Sequence, residues 1–299
     1  MRIVVGGSSG LIGSALVRRL QADGHEVVRL VRRTAKGSDE VSWSPADGAL
    51  DPAALAGADV AINLAGAGVG DHRWTDAYKE TIRRSRVDST VTLSRAIAAA
   101  GNGPRVLLNA SAIGYYGNRG DEVLTEQSTP GDSFLSDVAR AWESGTQAAE
   151  EAGVRVCNLR SGLVLSAAGG LLERVTQLFR YGIGGKLGTG KQFMSWVSLA
   201  DEIAAIKFLM THDDVAGPVN LTGPEPVRNS EFTKVLGELM RRPTVFPAPT
   251  FGIRMVLGQF SEDVLASIRA VPSVLTDAGF VHQHPDVRAA LQWALTDSQ

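Results

Sequence analysis

A doubly wound α/β fold, with helices on both faces of a parallel sheet, is predicted by three features of this 299-residue chain. Short apolar runs rich in Val, Ile and Leu alternate with helical patterns through the first half, as strands buried on both faces require. The first of those runs ends in glycines spaced three apart, where a helix begins. After Gly162 the alternation gives way to glycine-rich and proline-punctuated segments, which predicts a smaller second domain.

Residues 3–5, Ile-Val-Val, form the first predicted strand, followed by a helix over 12–22 that Gly24 closes. Strands follow at 26–31 and 60–64, separated by a less regular stretch around Val41-Ser42-Trp43. A long helix is predicted over 75–100, a strand over 106–109, a helix over 135–151 and a strand over 154–159. Residues 182–190 hold five glycines and predict a loop. A further strand at 193–197 and helix at 200–210 look like one more unit of the sheet. From Pro218 onward, prolines at 218, 224, 226, 243, 247, 249, 272 and 285 punctuate shorter elements. The predicted division is a nucleotide-binding domain over 1–165, rejoined by 193–212, and a smaller, discontinuous substrate domain over 166–192 and 213–299.

Composition excludes several classes. The chain is 44% hydrophobic and 21% charged, an ordinary globular balance. A net charge of −2 gives no reason to expect nucleic acid or an anionic membrane as partner. Cys157 is the sole cysteine, so no internal disulfide can form, and a cytoplasmic location is expected. No apolar run is long enough to span a bilayer. Met1 leads straight into a strand with no basic n-region, so no signal peptide is expected. His282 and His284 lie near Pro285 without metal-ligand spacing, so no metal is expected.

The strand–turn–helix junction carries the functional signal. Its turn reads Gly7-Ser8-Ser9-Gly10-Leu11-Ile12-Gly13. Glycines there let the backbone approach a pyrophosphate, and free helix N–H groups point at it, as in the Rossmann dinucleotide fold. The second strand ends in Val31-Arg32-Arg33. An acidic residue at that place would select NAD by bonding the ribose 2′-hydroxyl, whereas an arginine fork suits a 2′-phosphate. NADP(H) is therefore the expected cofactor. Asn63-Leu64-Ala65-Gly66 follows the strand at 60–62, and its small residues leave room for the adenosine half.

These segments resemble the extended short-chain dehydrogenase/reductase superfamily, in the atypical branch labelled epimerase family protein, akin to sugar-nucleotide epimerases. The resemblance is carried by residues 5–13 (VGGSSGLIG), 63–66 (NLAG), Ser85-Arg86, 111–117 (SAIGYYG), Trp142-Glu143, 159–165 (LRSGLVL), 188–196 (GTGKQFMSW) and 217–226 (GPVNLTGPEP). Residues after about 250 look like the small C-terminal module of that branch, whose usual Gly-Glu reads Gly258-Gln259 here. The resemblance implies cofactor contacts from the loop Gly7 to Ile12, Val31, Arg32, Leu64 and Ala65. It adds Arg86 on the long helix and Val164 beyond the sixth strand. Lys191 and Gln192, beside Gly188-Thr189-Gly190, are placed at the substrate.

The resemblance also sets an expectation that this chain does not meet. Such enzymes orient a carbonyl or hydroxyl with a serine or threonine and move its proton with a tyrosine. A lysine four residues on lowers the tyrosine pKa from its ordinary value near ~10. Ser111 fits the serine position. The tyrosines are Tyr78, Tyr115, Tyr116 and Tyr181, and four residues beyond them stand Ile82, Arg119, Gly120 and Gly185. Counting back from Trp142-Glu143, the pair falls on Leu135 and Ala139, neither of which can move a proton. Tyr116 stays as a candidate proton donor, with a wall of the pocket as its other reading. Two functions remain open: an NADP(H)-dependent oxidoreductase or epimerase acting on a polar small molecule such as a sugar nucleotide, and a non-catalytic NADP(H)-binding sensor.

Overall fold

The structure, a computed structural model, describes residues 1–244 and 247–296. Residues 245–246 and 297–299 of the expected second domain lie outside the described residues. A seven-stranded sheet runs in the order Gly217–Leu221, Arg155–Ser161, Val106–Ala112, Val60–Asn63, Arg2–Gly6, Glu26–Val31, Glu40–Ser42. The five strands from Val106–Ala112 to Glu40–Ser42 pair in parallel. Chain order reverses between Arg2–Gly6 and Val60–Asn63, and the crevice beyond such a reversal is where these sheets bind ligands.

The first compact unit comprises residues 1–111, 138–159 and 206–218. Its core joins Val4, Val28, Leu30 and Leu107 of the sheet to Leu93, Ala96 and Ile97 of the helix Asp76–Ala99. That helix starts where Thr75 accepts the Tyr78 N–H at 3.2 Å, a side-chain cap on a free backbone donor. The predicted helix over 135–151 is two, Phe134–Ser144 and Gln147–Glu151. The break falls at Gly145, where a Cβ would press within 3.1 Å of the Thr90 methyl.

The second unit comprises residues 112–137, 160–205 and 219–296 of the described chain. Its apolar core gathers Leu172 and Phe179 of the helix Gly170–Arg180, Phe232 and Leu236 of Asn229–Met240, and Ala290 and Leu291 of Val287–Thr296. The predicted strand at 193–197 is two short strands: Phe193–Met194 pairs with Val227–Arg228, and Trp196–Ser198 with Leu163–Leu165. The observed division differs from the predicted boundary at 165. Ala112 already begins the second unit, because the chain turns into the short helix Ile113–Tyr116 and buries Tyr116 against Leu124 and Ala270. Residues 206–218 return to the first unit, not 193–212. Among the described residues no helix is long and apolar enough to cross a membrane.

Candidate functional site

In the first unit, the strand Arg2–Gly6 passes to the helix Leu11–Ala22 through a turn that leaves no room for a side chain at Gly7 or Gly13. Gly7 has φ +78°, and a Cβ there would lie 2.4 Å from the Leu64 carbonyl carbon. A Cβ on Gly13 would lie 2.2 Å from Gly7 O. The helix start is thus seated directly on the turn. Gly10 donates its N–H to Gly7 O at 3.1 Å, and no side chain caps the helix, so its first N–H groups face the turn. Ser8 is half-buried and Ser9 exposed, with Leu11 and Ile12 half-buried behind them. Leu64 N–H donates to Gly6 O at 2.9 Å, which brings Leu64 and Ala65 to the same edge. This is a cradle that a Cβ on Gly7 or Gly13 would fill, and it fits a pyrophosphate.

A groove of about 400 Å³ opens at the end of the second strand, lined by Arg32, Trp43, Ser44 and Leu50 among others. Val31 accepts the Trp43 N–H at 3.0 Å and so fixes one wall. The two neighbouring arginines are not equivalent. Arg33 has its fork filled: Nη1 and Nη2 donate to the Glu40 carboxylate at 2.7 Å each. That guanidinium, helped by the Lys36 N–H, holds the Glu40 carboxyl down at about 2. Arg32 is exposed and forms no ion pair or hydrogen bond among the described residues. Arg32 is therefore the open cation of this groove, and Arg33 is a strut bound to Glu40.

Arg86 lies half-buried and donates to Ala67 O at 2.9 Å and Ile82 O at 3.1 Å, with its guanidinium 4.9 Å from the Trp142 ring centre. Burial brings its pKa down to about 10, so it stays charged at neutral pH. A Cβ on Gly66 would stand 3.3 Å from Arg86, which explains that glycine. Below the edge, Asn63 Nδ2 donates to Thr90 Oγ1 at 2.9 Å and Asn109 Oδ1 at 3.0 Å, and Asn109 Nδ2 to Asn158 Oδ1 at 3.1 Å. This buried amide chain ties three neighbouring strands of the sheet together.

Ser111 is buried, and its Oγ donates to Glu143 Oε1 at 2.7 Å. Glu143 is a site residue that motif reasoning missed in role. Leu135, Ala139 and Glu143 are spaced four apart on the helix Phe134–Ser144 and share a face. That spacing was the available signal: two turns beyond the position expected for tyrosine stands a carboxylate.

In the second unit, Tyr116 is fully buried. Its hydroxyl donates to Asn220 Oδ1 at 2.7 Å and accepts from Arg160 Nη1 at 3.0 Å. Burial pushes its pKa up to about 12. Both hydrogen-bonding directions are committed inside the protein, which corrects the expectation of a proton-donating Tyr116. Val164 lies half-buried on Leu163–Leu165, paired with Val197. Lys191 is exposed, and Gln192 Nε2 donates to Leu187 O at 3.1 Å, folding the glycine-rich loop on itself. His282 and His284 are tied to the protein, one to Thr222 O at 2.8 Å and the other to Ser198 Oγ at 2.9 Å.

Glu202, fully buried, accepts from Ser161 Oγ at 2.6 Å through one oxygen, while Oε2 has no partner among the described residues. Burial raises its pKa from the ordinary 4.5 to about 8. Across that interval the native carboxyl keeps a proton that the unfolded chain has released, so stability falls as pH rises. Glu202→Gln keeps the side chain neutral throughout. Its Tm relative to wild type is expected to rise by several degrees between about pH 5 and about pH 8. A difference that stays flat across this range contradicts a protonated Glu202.

The reversal-point crevice, the glycine turn and the basic groove define the class: a dinucleotide-binding fold of the short-chain dehydrogenase/reductase type. The family model for the NAD dependent epimerase/dehydratase family matches residues 3–222, and a domain of unknown function (DUF1731) matches 248–294. The chain belongs to the NAD dependent epimerase/dehydratase family. An epimerase family protein of Mycobacterium bovis is 44% identical over 98% of this chain and 97% of its own length. A human epimerase family protein, SDR39U1 (isoform 2), crystallised with NADPH, superposes with a TM-score of 0.91 at 29% identity, covering 99% of this chain and 100% of that one. A nucleoside-diphosphate sugar epimerase from Corynebacterium glutamicum superposes at 0.81 with 34% identity, over 98% of this chain and 58% of that one.

Proposed function

We propose that the chain binds NADP(H) and uses it in a redox step on a polar small molecule of the sugar-nucleotide class. The observation that carries the cofactor reading is Arg32, an unpaired guanidinium on the rim of the groove beside the glycine cradle. The human relative crystallised with NADPH supports it, and the nucleoside-diphosphate sugar epimerase supports the substrate class. The loop Gly7 to Ile12 with Leu64 and Ala65 would hold the pyrophosphate and adenosine, and Arg32 the 2′-phosphate. Arg33 supports Arg32 indirectly by fixing the strand end through Glu40. When bound, a nicotinamide accepts or supplies a hydride.

Proton handling then falls to Ser111 and Glu143. With its own proton donated to Glu143, Ser111 Oγ presents only lone pairs and accepts from a substrate hydroxyl. As a substrate alcohol is oxidised, its proton passes to Ser111 Oγ while the serine proton moves to Glu143 Oε1. In the reverse direction the same pair returns the proton. Ser111→Ala and Glu143→Gln are each expected to lower turnover by roughly 100-fold or more with NADPH affinity unchanged, in line with the usual worth of general acid–base groups. The decisive assay follows NADPH absorbance against a panel of carbonyls and sugar nucleotides. Consumption that depends on Ser111 establishes the enzyme. Leu135 and Ala139, on the helix face where the proton-moving pair is expected, favour a second reading as an NADP(H) sensor. Unchanged NADPH across the whole panel selects it.

A further inference from the structure

Thr34 stands at the end of the basic segment Val31-Arg32-Arg33, and both Arg32 and Thr34 line the groove of about 400 Å³ beside the second strand. The other hydroxyls of that lining are spent. Ser42 Oγ accepts the Ala35 N–H at 2.8 Å, and Ser44 Oγ donates to Asp47 Oδ2 at 2.5 Å. Thr34 is exposed, and its hydroxyl forms no hydrogen bond among the described residues. Its backbone is held on both sides: Thr34 O accepts from Arg33 Nη1 at 3.0 Å, and the next residue, Ala35, is the one tied to Ser42. A fixed segment therefore presents an unspent hydroxyl to the groove.

The cations around Thr34 differ in availability. Arg33 is bound to Glu40 at 2.7 Å through both Nη atoms. Arg32, two residues before Thr34, and Lys36, two residues after it, are exposed and form no ion pair among the described residues. The carboxylate of the lining, Asp51, makes no ion pair with Arg32 and accepts the Ala53 N–H at 2.9 Å as the cap of the short helix Pro52–Leu55. An exposed hydroxyl with basic residues on both sides is the charge pattern that basophilic serine/threonine kinases select. A phosphate on Thr34 would bring a charge of about −1.5 to −2 and three acceptor oxygens. Tethered two residues from Arg32, it would reach that guanidinium at an effective concentration on the order of millimolar, above that of a dissolved ligand at micromolar. It would fill the fork that otherwise takes a 2′-phosphate and repel a second anion.

We propose that Thr34 is a phosphorylation site whose phosphate takes Arg32 and thereby excludes the 2′-phosphate of NADP(H) from the groove. The donor is ATP, and the catalyst is a serine/threonine kinase that selects basic sequences. Thr34 Oγ bonds to the γ-phosphorus as the bond from that phosphorus to the β,γ-bridging oxygen breaks. ADP leaves, and the hydroxyl proton passes to the kinase's base. The effect on the cofactor rests on the NADP(H) reading above, whereas the modification and the pairing with Arg32 do not. A dinucleotide without the 2′-phosphate keeps its site, so the modification selects between cofactors.

The test incubates the full chain with protein kinase C and magnesium ATP, maps the phosphate by mass spectrometry, and titrates NADPH and NADH by nicotinamide fluorescence. Thr34→phosphoserine, installed during synthesis, supplies the same charge without the kinase. Phosphate is expected on Thr34, with NADPH weakened about 100-fold or more and NADH less than about 3-fold. Retained NADH binding shows that the fold is intact. Thr34→Val is expected to take no phosphate at position 34 and to lose the kinase-dependent drop in NADPH affinity. The phosphorus resonance of the modified chain is expected to titrate below the ordinary value near ~6, and Arg32→Gln to return it there. A kinase that leaves Thr34 unmodified in the folded chain overturns the proposal. So does a phosphate at position 34 that leaves NADPH affinity within about 3-fold of the unmodified chain. An unmodified chain that binds neither dinucleotide overturns the dinucleotide reading instead, and the phosphorus titration then decides the pairing: a midpoint that Arg32→Gln does not move overturns it.

Discussion

Gly13→Ala is expected to abolish NADPH binding and to destabilise the protein by about 3 kcal/mol, the upper range for overpacking a rigid site. The new Cβ would lie 2.2 Å from Gly7 O and 2.9 Å from its carbonyl carbon. Gly7 cannot retreat, since its own α-carbon already faces the Leu64 carbonyl. The helix Leu11–Ala22 must therefore lift off the turn, and the free N–H groups that would meet a pyrophosphate move with it. Gly24→Ala is the matched control. Its φ is +82°, with nothing within 4 Å of an added Cβ, so it carries only the left-handed backbone cost of about 1 to 2 kcal/mol. NADPH binding should survive there. Urea unfolding and nicotinamide fluorescence read the two effects separately. Equal behaviour of the two variants contradicts the packed cradle.

Arg32→Glu is expected to weaken NADPH by about 100- to 1,000-fold and NADH by less than about 3-fold. Losing a charge-assisted hydrogen bond costs about 1.5 to 3 kcal/mol, and a carboxylate beside a phosphate adds repulsion. At 1.4 kcal/mol for each tenfold, these together reach the stated range. NADH has no 2′-phosphate and loses neither. Arg33→Gln distinguishes the neighbours: its fork is occupied by Glu40, so NADPH should weaken only about 5-fold through the loosened strand end. Equal losses for NADPH and NADH in Arg32→Glu contradict the 2′-phosphate assignment.

What was legible in the sequence was what local geometry decides. Gly7 and Gly13 of the first turn answer to backbone atoms close by, and the apolar runs at 3–5, 26–31, 60–64 and 154–159 placed four strands of the large sheet within a residue or two, while the sheet strands Glu40–Ser42 and Gly217–Leu221 were not distinguished. The long helix predicted over 75–100 is observed as Asp76–Ala99, starting where Thr75 caps it. The helix break at Gly145 was hidden, since the close neighbour there is the Thr90 methyl on another helix. The filled fork of Arg33 was equally hidden. Glu40 reaches it only because the parallel register sets Arg29 opposite Glu40, and nothing in Val31-Arg32-Arg33 announces that partner.

Tyr116 shows the same limit at longer range. Its hydroxyl partners, Arg160 and Asn220, come from segments that the fold alone assembles, and they turn a motif tyrosine into a buried strut. The division into units was misplaced for a related reason. The chain changes unit at a strand end (112), within strands (160 and 219) and within helices (138 and 206), and of these places Gly217-Pro218 is the one marked by a glycine–proline pair. Glu143 was visible as part of a motif, but its role needed the hydrogen bond to Ser111.

The most direct test is a pair of titrations of the wild-type chain, with NADPH and with NADH, followed by nicotinamide fluorescence at fixed ionic strength. An open Arg32 beside a glycine cradle predicts that NADPH binds at least about 100-fold more tightly, and that rising salt narrows the gap by screening the exposed guanidinium. Equal affinities, or tighter binding of NADH, contradict it.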